Sequence, residues 1–151
     1  MCWRDRARGS TGLRSDAAGA LGALGDRPAA DALAARLSDA DEDVVIAASR
    51  ALGALGDATC VPALLAPFRS ERSSDTLKMT AAYALVRLGH REDGAGAHLA
   101  ALLEQDEAHM RSALALLLAE WKPDLLGWDP ALPAAEQEDA VARWKEFLLP
   151  A

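Results

Sequence analysis

The chain has 151 residues, of which 51% are hydrophobic but only 5% aromatic, so its apolar content comes from Ala and Leu. These residues are strong helix formers, and the length suits one domain with a core of ordinary size. The net charge of −7 is uneven, because residues 1–14 carry +3 and the rest of the chain −10. An acidic body argues against a nucleic-acid binder, which needs a dense Lys and Arg face. We interpret the four Arg of residues 1–14 as a solvated arm.

The sequence favours a cytoplasmic protein with no membrane partner. Cys2 and Cys60 are too few and too far apart to suggest a disulfide framework. The longest apolar run, residues 113–119, is far shorter than the roughly 20 residues that cross a bilayer. Arg residues before the apolar residues 17–24 imitate a secretory signal, but an interior copy at 51–56 indicates a structural module instead.

The hexapeptide Leu-Gly-Ala-Leu-Gly-Asp occurs at residues 21–26 and again, unchanged, at residues 52–57. Two degenerate copies begin at Leu85 and Leu116, so successive copies are spaced 31, 33 and 31 residues apart. Such regular self-similarity is the signature of a stacked repeat array, in which each unit buries its apolar face against the next. The sequence therefore predicts an all-α solenoid that forms one domain over residues 1–151.

In chain order, the apolar periodicity and the turn residues predict two helices in each repeat. The second helices are expected to end at Gly25, Gly56 and Gly89, because glycine readily takes the left-handed conformation that closes a helix. The complete repeats are predicted at residues 27–57, 58–90 and 91–121. Their helices are expected over residues 27–37, 43–55, 58–68, 75–88, 94–104 and 107–121.

The two ends of the array are predicted to differ. Residues 13–26 form a partial repeat that lacks its first helix, so either residues 1–12 fold over it, with Trp3 as a plug, or the chain is part of a longer array. Residues 122–151 are expected to close the other end with a helix over 133–148. Large aromatic side chains cover a wide apolar face at modest length, and this role is assigned to Trp121, Trp128 and Trp144.

The pattern Val-x-x-Ala-Ala-x-x-Ala-Leu-Gly-x-Leu-Gly-Asp, best matched by residues 44–57, resembles the HEAT-like repeats of the phycobilisome-lyase type, which are common in bacterial proteins. Gly-Trp-Asp-Pro at residues 127–130, followed by a helix, resembles the tail that ends many bacterial HEAT-repeat proteins. The resemblance implies a right-handed superhelix of helical hairpins closed by a C-terminal capping helix. It also implies that the second helices line the inner, concave wall.

No set of residues in the sequence suggests catalysis, a cofactor or a metal site. His90, His98 and His109 lack the i, i+4 partner of a helical zinc site. No His is followed by Glu, which argues against the iron-dependent deoxyhypusine hydroxylases that share the repeat. The carboxylate clusters fall at turns or helix starts, where capping and the helix dipole explain them.

Alignment of the repeats on the implied concave wall places apolar, aromatic and basic side chains there, a mixture typical of a recognition surface. In a register shifted by one residue, Ile46, Met79 and Met110 would instead pack between repeats. The candidate binding residues are Val45, Ile46, Arg50, Lys78, Met79, Tyr83, Arg87, His109, Met110 and Leu114.

These observations predict a non-catalytic protein–protein interaction module or scaffold whose concave groove binds a helix or extended segment of a partner. Its expected anchors are Arg50, Met79, Tyr83 and Arg87. Two alternatives stay open: a bilin lyase or lyase-like accessory subunit, suggested by the resemblance alone, and the C-terminal part of a longer repeat protein. The apolar flank over residues 13–37 also leaves open an association between two copies.

Overall fold

The computed structural model describes residues 27–91 and 93–149, and the fold over these residues is an α-solenoid. No strand occurs within these two ranges. The same two ranges contain three short 3-10 turns, at Ala58–Cys60, Leu125–Gly127 and Ala134–Glu136. The α-helices of this part of the chain are α1 (Arg27–Arg36), α2 (Glu42–Leu55), α3 (Val61–Arg69), α4 (Asp75–Arg87), α5 (Ala95–Glu104), α6 (Ala108–Trp121) and α7 (Glu138–Leu148).

The helices predicted from the apolar periodicity are present, and most of their ends agree within one residue. Two predicted helices are interrupted near their starts. Residues 58–60 form a 3-10 turn in which the Asp57 carboxylate accepts from the Thr59 backbone N–H at 3.0 Å. Before α7, Gln137 has a φ of −139° and its amide oxygen accepts from the Asp129 N–H at 2.7 Å, which separates the 3-10 turn from the helix.

Several sequence predictions lie outside the described residues. They concern the partial repeat over residues 13–26, its plug Trp3, Cys2, and the helix end at Gly25. The proposed flank for association between copies, residues 13–37, is described only from residue 27 onward. The repeat boundaries and the right-handed sense of the superhelix stay predictions.

Side-chain caps and glycines define the ends of the second helices. At the start of α2, the Asp41 carboxylate accepts from the Asp43 N–H at 3.0 Å. At the start of α4, the Ser74 hydroxyl accepts from the Leu77 N–H at 3.2 Å. Gly56 and Gly89 have φ values of 76° and 88°, which confirms the predicted left-handed ends.

Helices α2 and α4 pack together through very small residues. A Cβ atom added to Gly53 would lie 2.9 Å from the Cα of Ala84, so the two backbones approach closely only because residue 53 has no side chain. Of the two glycines in the hexapeptide, Gly53 therefore permits helix packing, whereas Gly56 ends the helix. We call this contact the small-residue seam.

The hydroxyl groups buried near this seam are satisfied within their own helices. Ser49 donates to the Val45 carbonyl and Thr80 to the Thr76 carbonyl, each at 2.8 Å. Neither hydroxyl needs a polar partner across the seam, so its burial leaves no hydrogen-bonding group unsatisfied.

Helix α4 is the centre of the described fold, because it packs against α2, α3, α5 and α6. Every side chain from Met79 to Val86 is buried. Leucines from the surrounding helices complete the core and are fully buried at Leu52, Leu64, Leu99, Leu103 and Leu118.

The C-terminal segment packs against the array with aromatic side chains. Trp144 is fully buried and its indole N–H donates to the Leu125 carbonyl at 2.6 Å. The Phe147 ring lies 5.8 Å from that of Trp144 and 4.6 Å from that of Trp121, measured between centroids. Trp128 is buried as well, whereas Trp121 is only half-buried.

Helix α7 also contacts α5 through backbone. A Cβ atom at Gly96, in the first turn of α5, would overlap the Leu148 carbonyl oxygen. The Arg91 guanidinium, just before α5, donates to the Phe147 carbonyl at 3.0 Å. The end of α7 is therefore held against the start of α5 at two points.

Candidate partner-binding face

A polar network joins the second helices α2, α4 and α6 on one face. Arg50 of α2 forms an ion pair with Glu120 of α6. The Tyr83 hydroxyl of α4 lies 3.4 Å from the other carboxylate oxygen of Glu120, to which it donates, and it accepts from the Arg87 guanidinium at 2.6 Å. We call Arg50, Tyr83, Arg87 and Glu120 the inner network.

Helical spacing explains how these side chains meet. Arg87 follows Tyr83 by four residues, so both lie on the same face of α4 and the guanidinium reaches the phenol. Glu120 precedes Trp121, whose ring meets that of Tyr83 edge to face at a centroid distance of 6.4 Å. Tyr83 is fully buried, whereas the Arg50 side chain is 53% exposed and that of Glu120 29% exposed.

Charge is unbalanced in the inner network. Burial raises the pKa of Tyr83, and the nearby Arg87 and Arg50 only partly oppose this shift, so the phenol stays neutral near pH 7. Two guanidinium groups therefore face one carboxylate. Glu120 also lies in the last turn of α6, where the negative end of the helix dipole disfavours a carboxylate.

An exposed apolar side chain lies beside this network. Leu116 is 72% exposed and precedes Glu120 by four residues, which places both on one face of α6. His109 lies on the same stripe, seven residues before Leu116, and is exposed. Together with the inner network, Leu116 and His109 form what we call the inner face.

Half of the predicted surface residues are buried instead. None of their side chains is more than 5% exposed, so none of them presents an exposed apolar surface to a partner. Met79 and Met110 lie in the core, as in the alternative register, and Ile46 is half-buried. The buried five are Val45, Met79, Tyr83, Met110 and Leu114.

On α6, residues 113–119 are uniformly apolar and give no periodic contrast from which the exposed side of the helix could be predicted. The repeat register selects Leu114, which is fully buried, whereas Leu116 is the exposed residue. Glu120 is absent from the predicted surface because it follows the concave-wall positions that the repeats have in common. The sequence does contain one signal for the exposed side of α6: Glu120, the polar residue that ends this apolar run, shares a helical face with Leu116.

Of the other predicted residues, Arg50, Arg87 and His109 lie on the inner face, whereas Lys78 does not. Arg50 and His109 are exposed and Arg87 is half-buried on the inner face. Lys78 precedes Tyr83 by five residues, about 140° around the helix, and therefore points elsewhere. Its charge instead acts on His98 of α5, whose pKa is lowered mainly by burial and further by Lys78. The structure therefore unites Arg50, Tyr83 and Arg87 but separates Lys78 from them.

The histidines have separate surroundings. His90 contacts Asp93 at 2.9 Å, His98 packs edge-on against Phe68, and His109 lies 3.6 Å from Glu107. Within residues 27–91 and 93–149, no group of three or more His, Cys, Asp or Glu residues could hold a metal ion. In the same ranges, no helix is long and apolar enough to cross a membrane.

The stacked helix pairs agree with the result of a family comparison. The family described as HEAT repeats matches residues 6–78 and, in a second overlapping match, residues 30–119. The chain belongs to the HEAT-repeat family. HEAT repeats commonly act as scaffolds for protein interactions. A comparison with curated proteins found no match.

Proposed function

We propose that this HEAT-repeat chain is a non-catalytic interaction module that binds a segment of a partner protein across its inner face. The observation that carries the proposal is the combination of accessible Arg50 and Arg87 with the 72% exposed Leu116 on neighbouring second helices. Arginine is enriched at binding hot spots, and an exposed apolar side chain beside charged groups gives a partner both contact area and orientation.

Stability alone gives little reason to keep these groups on the surface. An ion pair as exposed as that of Arg50 and Glu120 contributes about 0–1 kcal/mol. Leu116 leaves most of its side chain in water, so it gains little of the roughly 1.5–3 kcal/mol that full burial of such a side chain provides. A partner that covers the ion pair and the Leu116 side chain would gain the free energy of burying Leu116, which the chain alone does not gain.

The buried members of the predicted surface support the face from below. Tyr83 and Met79 are fully buried in α4, and Leu114 is fully buried in α6. Their packing fixes the positions from which Arg87 and Leu116 project. Of the four predicted anchors, Arg50 and Arg87 are retained, and Leu116 replaces Met79 and Tyr83 as the apolar contact with a partner.

A pair of matched double variants tests the proposal. We expect Arg50→Ala with Arg87→Ala to reduce capture of the natural partner from an extract of the source cells by about tenfold or more, since each arginine at a hot spot contributes more than about 1 kcal/mol. The control is Arg36→Ala with Arg72→Ala, which removes the same charge from two exposed positions off the inner face.

Quantitative mass spectrometry would measure the captured protein, and far-UV circular dichroism would check that both variants keep their helices. Equal loss in both double variants would indicate a general charge effect and would contradict the proposal. Full capture by the inner-face variant would contradict it as well.

A further inference from the structure

We infer that Arg50, Tyr83 and Arg87 form a seat for a partner's carboxylate, and that Glu120 occupies this seat when no partner is bound. This inference rests on the proposed function and specifies the chemistry of the partner segment. That segment is acidic: it carries an Asp or Glu side chain next to an apolar residue.

The geometry is that of a carboxylate site with its donors already in place. One oxygen of Glu120 pairs with the Arg50 guanidinium, and the other accepts from the Tyr83 hydroxyl at 3.4 Å. The Tyr83 hydroxyl is itself oriented by the Arg87 guanidinium at 2.6 Å. Because Tyr83 is fully buried and Arg87 bonds to it, the Tyr83 and Arg87 donors stay fixed when a partner's carboxylate replaces that of Glu120.

Glu120 is suited to leave the seat. It is the penultimate residue of α6, its side chain is partly exposed, and it lies where the helix dipole disfavours its charge. Rotation about its side-chain bonds carries the carboxylate into water without moving the helix. A partner carboxylate then pairs with Arg50 and Arg87, which together carry one positive charge more than Glu120 neutralises.

The surroundings of the seat indicate the rest of the segment. Leu116 lies one helical turn from Glu120 and is 72% exposed, so a neighbouring apolar side chain of the partner covers it. Arg50 and Leu116 belong to α2 and α6, which both pack against α4, so a segment that crosses the seat continues from one helix to the other. This favours a side-chain carboxylate within a segment over a free chain terminus.

Fluorescence anisotropy with labelled peptides tests the seat. The probe is a short peptide in which Glu alternates with Leu, and its match replaces every Glu with Gln. We expect Glu120→Gln to bind the acidic peptide about tenfold more tightly than the natural chain does, because the internal competitor loses its charge. Arg87→Gln should bind it about tenfold more weakly, and the Gln peptide should bind weakly throughout.

The matched control is Glu104→Gln. Glu104 also lies in the last turn of its helix and also pairs with a cation, Lys145 at 2.5 Å, but it belongs to α5 and not to the inner network. An equal gain in affinity from Glu104→Gln and Glu120→Gln would reflect net charge alone and would overturn the inference. Absence of acidic-peptide binding by every variant would overturn it too.

Two further outcomes separate the inference from the proposed function. If the Glu and Gln peptides bind equally, and Glu120→Gln changes neither, the face binds segments without a carboxylate seat; the inference then fails while the proposed function stands. A third peptide carries its only carboxylate at the C-terminus. Tighter binding of this peptide than of the Glu peptide would overturn the assignment to an acidic side chain.

Discussion

The small-residue seam and the aromatic C-terminal contact bury helices in opposite ways. At the seam, α2 and α4 meet where Gly53 leaves no room for even one added carbon atom against Ala84. At the C-terminus, α7 reaches the array through Trp144 and Phe147, whose rings fill the space beside Trp121. One contact depends on the absence of side chains and the other on their size.

The difference follows from what each helix has on its sides. Among the described helices, four pack around α4, so close approach buries many small contacts at once. The C-terminal segment is short and buries area through a few large side chains instead. The small-residue seam and the aromatic contact of α7 therefore respond to substitution in different ways.

The largest expected effect is at the aromatic end. Trp144→Ala should lower the free energy of unfolding by about 3–5 kcal/mol, because it removes a fully buried indole and leaves the Leu125 carbonyl without its donor. Urea unfolding measured by circular dichroism would give the value. Leu132→Ala, at a 40% exposed position, is the control and should change stability little. A loss below about 1 kcal/mol for Trp144→Ala would contradict the proposed importance of aromatic size there.

The opposite change should break the seam. Gly53→Ala should cost about 1–3 kcal/mol, because its added carbon would lie 2.9 Å from the Ala84 backbone. In an open helix the same change would instead stabilise by about 1 kcal/mol. Thermal unfolding measures the effect.

A second substitution separates crowding from other causes. Ala84→Gly removes the side-chain part of the Gly53→Ala clash, at 3.1 Å, but not the backbone part. The double variant should therefore lose less than the sum of the two single losses. Strict additivity, or stabilisation by Gly53→Ala alone, would show that the seam has room.

A smaller, pH-dependent effect is expected between the two regions, where α5 packs on α4 and His98 of α5 contacts Phe68 of α3. Burial of His98, whose ring Nε2 has no hydrogen-bond partner among residues 27–91 and 93–149, lowers its pKa below 6.5; Lys78 adds to this shift and Asp75 opposes it. The unfolded chain therefore binds a proton at a higher pH than the folded chain. Stability should fall as the pH drops from about 7 through 6.5 towards the lowered pKa.

The melting temperature at several pH values between about 7.5 and 5.5 tests this expectation. His98→Gln should weaken the pH dependence, whereas His109→Gln should leave it unchanged because His109 is exposed. An unchanged profile in His98→Gln would show that another group causes the loss.

The smallest effect on stability is expected in the inner network. Arg50→Ala should change the free energy of unfolding by less than about 1 kcal/mol, because its ion pair with Glu120 is partly exposed and the Arg50 side chain is 53% exposed. Chemical denaturation measures this value. A loss of several kcal/mol would mean that the pair holds α2 and α6 together, and the network would then belong with the two structural contacts.

Much of the fold could be predicted because its determinants are local. The Leu-Gly-x-Leu-Gly-Asp ending, the acidic turn before α2 and the glycines at 56 and 89 each act within a few residues of their positions. The packing role of Gly53 could not be derived this way, because it depends on which residue of α4 lies opposite.

The candidate site was less predictable for a physical reason. Side chains at Arg50 and Arg87 are polar and long, so their exposure follows from residue type. Within the uniformly apolar residues 113–119, residue type gives no such contrast, and rotation of α6 alone decides that Leu114 is buried and Leu116 exposed. Glu120 joins the network through contacts 37 or more residues distant in sequence, which no local pattern encodes.

Gly96 weakens the very turn in which it lies, since glycine is a poor helix former and the preceding Gly94 provides no side-chain cap. The Leu148 carbonyl occupies the space that a side chain would fill. Glycine at position 96 thus makes the first turn of α5 less stable as a helix, but it allows this turn to pack closely against Leu148 at the end of α7. The last hairpin and the terminal helix should consequently open as one cooperative unit in hydrogen exchange, with no gradual fraying from the C-terminal end.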